Sequence, residues 1–492
     1  MTSKSSYNRI LKATTLFGGV QVINIITAII RSKAMALLLG PAGFGVFGLL
    51  NSTVLFISAA TNFGLGISSV KNVAEAHSTG NHDRVTLVIN VLWRWTWLTG
   101  IIGVVLTILL SPVLSDLVFD DPNHTFSFVL ISIVLLLMQL NVANKVILQG
   151  LQKLSLLAKA SLLGNILSLF FTIPLYYFFA AKGIVPAIII TAVLAFLCSR
   201  YFAKQLDIKR IPVSRVILIS EGKDMLSMGA LISFGAMITI GGSFLLRIFI
   251  NYIGNASEVG LYDAGYTIVN TYVSMIFIAM GTDYYPRLSA VGNDNKACKQ
   301  LINQQAEVGI LILAPIINLF LVFIYWVILI LYSSDFLAIN NMIHWAAMGM
   351  FFKVVSWSAG FVFLAKGASR IFFWNELISS IYILLLNILG YYYYGLTGLG
   401  VSFMLGFVLH AIQISIVCYH YYDFAFTDSF ISVFFRQFLL SICCFLTVSF
   451  VVAPYSYLLG VLIICISIWI SYRQLDSYVD IPNLLRTFNK RK

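Results

Sequence analysis

Five basic residues fall inside apolar stretches long enough to cross a bilayer: Arg31, Lys33, Arg94, Arg247 and Lys353. Holding a charge in hydrocarbon costs roughly 2.5 kcal/mol on insertion scales and over 10 in simulations, so such residues mark function unless something neutralises them. A guanidinium is suited to an oxyanion, because its planar fork meets phosphate bidentately. Gln21, Asn24, Thr27 and Arg31 stand three, three and four residues apart, on one helix face, and form a polar stripe ending in positive charge. Lys33 lies about 200° round from Arg31, on another face. Thr239, Ser243, Arg247 and Asn251 repeat the pattern. Asn51, Ser58 and Asn62 make a stripe on a second span, and Asp263, Thr267, Asn270 and Ser274 on an eighth. The four stripes predict a hydrated cavity between two halves of the chain. The first half offers no intramembrane carboxylate, since Glu75 and Asp83 fall in a loop, so its wall should be cationic and suit an anion.

Each residue has a plainer reading. Lys33 can snorkel to the headgroups, and Arg94, within Trp93-Arg94-Trp95-x-Trp97, can anchor an interfacial belt. Asp263 can neutralise Arg247 across a turn. Lys353, with Ser356 one turn on, suits lining or packing equally, and Arg31 is the hardest to explain by structure alone. Glu376, heading a stripe with Ser380 and Asn387, is a candidate for proton or sodium coupling, as are Glu307 and Asp263, against terminal or paired roles. His344 and His410 stand alone. Tyr391 to Tyr394 read as an interfacial belt, or as a surface for sugar stacking. No nucleotide loop, metal-ligand spacing or long external loop suggests an enzyme, and no cofactor beyond an ion gradient is expected.

The elements that position these residues must be membrane helices. Hydrophobic residues make up 60% of the 492 and charged ones 10%, and the apolar runs are continuous, without a barrel's alternation. The net charge of +12 reflects cytoplasmic flanks and not nucleic-acid binding. The six cysteines read as reduced packing residues. Fourteen spans are predicted, near 13–38, 44–70, 85–110, 126–149, 155–180, 184–203, 226–250, 262–286, 302–331, 342–365, 371–393, 398–421, 430–452 and 455–471. Pro454 makes the last pair a hairpin or a kinked helix.

Of the 31 Lys and Arg, 25 fall on one side of these spans, which places both termini in the cytoplasm. The charged stretch 205–223 reads as a linker between halves. Landmarks recur at a near-constant offset: Arg31 with Arg247 (216), Gly40 with Gly254 (214), Gly45 with Gly260 (215), Lys71 with Arg287 (216), Gly150 with Gly367 (217) and Gly183 with Gly398 (215). The chain is therefore expected to be an all-α polytopic protein of two pseudo-symmetric six-helix lobes, 1–204 and 224–422. Two further transmembrane helices and a basic tail follow, 423–492. Transporters with such parallel repeats place the substrate between the halves.

Ser6-Tyr7-x-x-Ile10-Leu11-Lys12-Ala13, Ile30-Arg31-Ser32-Lys33, Leu39-Gly40-Pro41-Ala42-Gly43-Phe44-Gly45, and Gly64-Leu65-Gly66 leading to Val73-Ala74-Glu75-Ala76 carry a resemblance. In series they resemble the Wzx-type O-antigen and polysaccharide flippases of the multidrug/oligosaccharidyl-lipid/polysaccharide exporter superfamily. The motifs are strongest over the first eighty or so residues, and the twelve-span plan covers about 1–421, so the last two spans exceed the usual number. The resemblance implies a MATE-like fold and transport of an undecaprenyl-pyrophosphate-linked oligosaccharide between leaflets of a bacterial inner membrane. Arg31 and Arg247 would hold pyrophosphate or acidic sugar. Implied partners are that lipid-linked glycan, the bilayer, a polysaccharide polymerase and a chain-length regulator. The alternatives are an ion-coupled drug or metabolite antiporter of the same superfamily, and a membrane polymerase or ligase, against which the short loops argue.

Overall fold

The computed structural model describes residues 3–273 and 275–479. Ser274 and the basic tail beyond 479 lie outside the described residues, as do the side chains of residues 3–19 and Gln21. Fourteen α-helices follow one another: α1 Ser3–Thr61, α2 Leu65–Ser78, α3 His82–Phe119, α4 Thr125–Gly150, α5 Leu154–Phe179, α6 Ile184–Lys204, α7 Arg215–Ile253, α8 Ala256–Thr267, α9 Met275–Ala290, α10 Asn295–Leu331, α11 Asn340–Ala365, α12 Ser369–Tyr422, α13 Asp428–Phe450 and α14 Tyr455–Val479. Among the described residues there is no strand. Among the described residues ten apolar helical stretches are long enough to span a bilayer. Three of them, of 40, 51 and 54 residues, are twice the length one crossing needs. This is a multi-pass membrane protein.

The breaks in the helices follow the turns expected from the sequence in most places. α1 is bent at Gly40 (φ 64°, ψ −171°), which separates the first two spans. α12 is bent at Gly395 (φ 57°, ψ −140°). Two spans differ. The run 44–70 is not one helix: it stops at Thr61 and restarts at Leu65. Gly64 there has φ 64°, and a Cβ on it would lie 2.2 Å from the Gly229 carbonyl oxygen, so only glycine fits. The run 262–286 is α8, a π-helical turn Ile268–Val273, and α9. The last pair forms two helices, α13 and α14, joined side to side by Gln437. Its amide donates to Ser471 Oγ (2.9 Å) and accepts from Ser467 Oγ (2.8 Å).

The chain divides into two compact units, Met1–Gly260 with Leu331–Ser333, and Leu261–Ile330 with Ser334–Lys492. The division falls after α7, later than the 205–223 linker. In the first unit α4 packs between α3 and α6, and α6 packs against α5, while α1 runs against α5 and α7. Gly45 is where α1 comes closest to the chain after α7. A Cβ on Gly45 would fall 1.7 Å from the Ala256 oxygen and 2.9 Å from Gly260 N. One on Gly260 would fall 2.0 Å from the Pro41 oxygen and 2.7 Å from Gly45 N. Two glycines paired by the repeat thus meet each other reciprocally. In the second unit α11 is central, touching α9, α12 and α13. Its own Phe351 and Phe363 are buried, as is Tyr284 of α9.

The duplication extends to one more side chain in each unit. Asn90 on α3 donates to Thr86 O (2.8 Å) and Lys209 O (3.0 Å), and its Oδ1 accepts from Ile211 N (3.3 Å). Asn303 on α10 donates to Lys299 O (2.8 Å) and Ala425 O (3.4 Å), and its Oδ1 accepts from Thr427 N (2.8 Å). Each asparagine bonds its own helix one turn back and clamps the extended segment that follows the sixth span of its half.

Candidate functional site

In the first unit the polar stripe of α1 faces α5. The Arg31 guanidinium donates through Nη2 to Ser168 Oγ at 2.6 Å, and Asn24 Oδ1 accepts from Asn165 Nδ2 at 2.8 Å. Asn165, Ser168, Thr172 and Tyr176 stand three, four and four apart and make the matching stripe, the last three buried. That spacing was there to be read, and only the packing of α5 on α1 gives it meaning. No carboxylate pairs with Arg31 among the described residues, and its buried Nε has no partner. The charge is therefore held by neutral groups and remains uncompensated.

The other candidates of this unit are dispersed. Lys33 donates to the Tyr332 carbonyl, in the Leu331–Ser333 turn, instead of reaching for headgroups. Arg247 Nη1 donates to Ser243 O one turn back at 2.9 Å, and Asn251 Nδ2 reaches Val118 O on α3 at 2.9 Å. Asn51 is half-buried on α1. Asn62 Oδ1 accepts from Gly64 N and from Ser233 Oγ, both at 2.7 Å, so it fastens the α1–α2 turn to α7. Arg94 donates to Val213 O at 2.6 Å and lines a cavity of about 1200 Å³ whose wall does not include Arg31.

The second unit gathers a different site. Lys353 Nζ donates to Asn270 Oδ1 at 2.8 Å, with the rings of Phe407 and Phe277 5.3 and 5.7 Å away. Asn270 sits in the π-helical turn, a distortion often found at functional positions. The structure thus joins two residues that the sequence singled out separately. Glu376 is half-buried on α12 beside Asn375. Sequence reading passed over Asn375, whose amide meets His410 Nε2 (3.4 Å) and Gln413 Nε2 (2.9 Å) across the bend of α12. His410 Nδ1, Gln413 Oε1 and Tyr382 Oη are buried there without partners. Asp263 and Glu307 are buried on α8 and α10, 7% and 8% exposed. Among the described residues no group of three or more His, Cys, Asp or Glu is arranged to hold a metal ion.

Comparison with known proteins places this geometry. The profile of a family described as "Polysaccharide biosynthesis protein" matches residues 34–341. Stage V sporulation protein B of Bacillus subtilis (strain 168) is 22% identical over 159 residues, 32% of this chain; the chain matches only 30% of that protein's length. Among solved structures, lipid II flippase MurJ in an inward closed conformation superposes with a TM-score of 0.71 at 12% identity, over 94% of this chain and 99% of that one. An inward-facing multidrug resistance MATE family transporter of the MOP superfamily gives 0.67 at 15% identity, over 87% and 96%. A MOP superfamily transporter from Pyrococcus furiosus gives 0.57 at 14%, over 89% and 96%. The fold is that of the MOP superfamily.

Proposed function

The chain belongs to this polysaccharide biosynthesis protein family, and from that premise we propose that it is a flippase for a lipid-linked glycan. Its cargo is an undecaprenyl-pyrophosphate-linked oligosaccharide, the unit of an O-antigen or related surface polysaccharide. It moves that cargo from the inner to the outer leaflet of a bacterial inner membrane by alternating access, with both termini cytoplasmic. It acts as a transporter and not as an enzyme, and a polymerase and chain-length regulator use its product. The fold shared with a lipid II flippase supports this reading. The observation that carries it is Arg31, a permanent cation on a membrane-spanning helix held by a serine hydroxyl and no carboxylate. Such a group is costly to keep without an anion to meet, and pyrophosphate suits its fork.

The test is leaflet exchange of the lipid-linked glycan in proteoliposomes. Arg31→Ala should lower the rate at least about tenfold, the scale of one charged hydrogen bond, and Arg247→Ala should lower it less. Both variants should insert normally. Wild-type exchange in both would remove the proposal. The hydrogen-bonded group of Asn375, His410 and Gln413, with the half-buried Glu376 next in the chain to Asn375, favours a further element, coupling to a proton or sodium gradient. Glu376→Gln should then exchange substrate at a rate that no longer responds to an imposed gradient. An unaltered response would exclude Glu376 from coupling.

A further inference from the structure

The cavity beside Arg94 has chemistry of its own. It lies wholly in the first unit, between α3, α4, α6 and the 205–214 segment. Six basic side chains line it, Arg94, Arg200, Lys204, Lys209, Arg210 and Arg215, against one acid, Asp207. Arg200 lies over the Trp93 ring at 4.7 Å and is close enough to Arg210 for the like charges to repel. Among the described residues none of the six is ion-paired. Trp97, Leu98 and Phe196 add an apolar part to its lining, the first two exposed. At its base Asn144 is fully buried; its amide donates to Ser199 Oγ, while its Oδ1 has no donor.

These charges are not needed to hold the segment. The equivalent clamp of the second unit, at Asn303, holds its own segment without them. There the surroundings are aromatic, with Phe424 against Phe426 (4.9 Å) and Phe426 against Phe430 (4.6 Å). Of the lysines nearby, Lys299 gives Asn303 its carbonyl, and Lys366 is spent on Gly292 O and Asn295 Oδ1. Both halves do this structural task with an asparagine's hydrogen bonds; the second surrounds them with rings, the first with six cations lining one cavity. A basic pocket at the end of a membrane unit, continuous with exposed apolar side chains, is the form of a phospholipid headgroup site.

We propose that this cavity binds the phosphate of an anionic phospholipid in the leaflet where Lys and Arg gather, with its acyl chains along Trp97, Leu98 and Phe196. A hydroxyl on the headgroup would supply the donor that Asn144 Oδ1 lacks, which favours phosphatidylglycerol. Because Arg210 lies in the segment leading into α7 and Arg215 opens that helix, the lipid would join them to α3 and α6. This site is separate from the Arg31 site and does not depend on the proposed cargo.

The experiment uses the full chain in nanodiscs with phosphatidylglycerol carrying a photoreactive acyl chain, and adducts mapped by peptide mass spectrometry. Adducts are expected on α3 around Trp97 and on α6 around Phe196. Excess unlabelled phosphatidylglycerol should compete at least about tenfold better than phosphatidylcholine, the scale of one or two basic residues at an anionic surface. The triple variant Arg200→Gln, Arg210→Gln, Arg215→Gln should lose that preference, and the corresponding triple Lys variant should keep it, which separates lost charge from misfolding. Equal competition by the two lipids overturns the proposal. So does competition by millimolar inorganic pyrophosphate with none by phosphatidylglycerol, which would assign the pocket to a soluble anion.

Discussion

The two halves of this protein carry one clamp twice and surround it differently. Asn90 and Asn303 make the same three kinds of hydrogen bond, to the carbonyl four residues back and to two backbone groups of the segment they hold. Around Asn303 the space is filled with aromatic rings; around Asn90 it is open and basic. The embedded cations diverge likewise. The first unit has Arg31 on a serine hydroxyl, a fixed fork; the second has Lys353 on an asparagine carbonyl between two rings, a compact point charge. The halves share turns, close contacts and clamps, and differ in the chemistry placed around them. A skeletal change should therefore act alike in both halves, and a change of charge should not.

The strongest way to break that comparison is at the reciprocal glycines. Gly45→Val and Gly260→Val each drive a side chain into backbone, 1.7 and 2.0 Å from a carbonyl oxygen at the first carbon alone. Overpacking against a yielding side chain costs about 1–3 kcal/mol, and backbone yields less. Both variants should therefore lose most folded protein in detergent, and to a similar extent. Gly40→Ala is the control. Its Cβ would meet nothing within 4 Å, but φ +64° with ψ −171° is a conformation essentially reserved to glycine, so the loss should be about 1–3 kcal/mol. A large difference between the two valine variants in thermal unfolding would mean that the contact is not the symmetric one described.

Charge changes come next. Arg31→Lys keeps a cation without the fork, so leaflet exchange should fall between wild type and Arg31→Ala. Lys353→Met should slow exchange about threefold to tenfold, the scale of one exposed-to-buried polar contact. Lys353→Arg should not restore it, because the site between Phe277 and Phe407 fits an amine. Equal loss in Arg31→Lys and Arg31→Ala would sharpen the picture toward bidentate recognition. Full rate in Lys353→Met would make the second site structural.

How much of this the sequence made legible depends on the range of the interaction. The stripe from Asn24 to Arg31 and the bends at Gly40 and near Gly395 are local, set by helical period and by glycine among apolar runs, and they were readable. The break at Gly64 was not, because Gly64-Leu65-Gly66 inside an apolar run reads as continuous helix until the backbone at Gly229 comes against it. Arg94 reads in sequence either as an embedded cation or as an interfacial anchor, because its depth is visible there and its direction is not. Only the folded segment at Val213 shows where its guanidinium goes. Asn90 and Asn303 were passed over for the same reason. A lone asparagine near the end of a span carries no signal until the segments it bonds, about 120 residues downstream, are known.

The last test is of the clamps themselves. Asn90→Ala and Asn303→Ala each leave a backbone carbonyl and a backbone N–H without their partner, at side chains 9% and 4% exposed. Each should lower stability by about 1–3 kcal/mol, with Asn303→Ala at the upper end because aromatic surroundings admit no water to replace the bonds. In the first half the bound lipid offers a second attachment for the same segment through Arg210 and Arg215. Adding phosphatidylglycerol should therefore narrow the thermal deficit of Asn90→Ala and leave that of Asn303→Ala unchanged, where phosphatidylcholine changes neither. If both deficits respond equally, the lipid acts on the protein as a whole, and the basic charges of the first half do not set its clamp apart from the second.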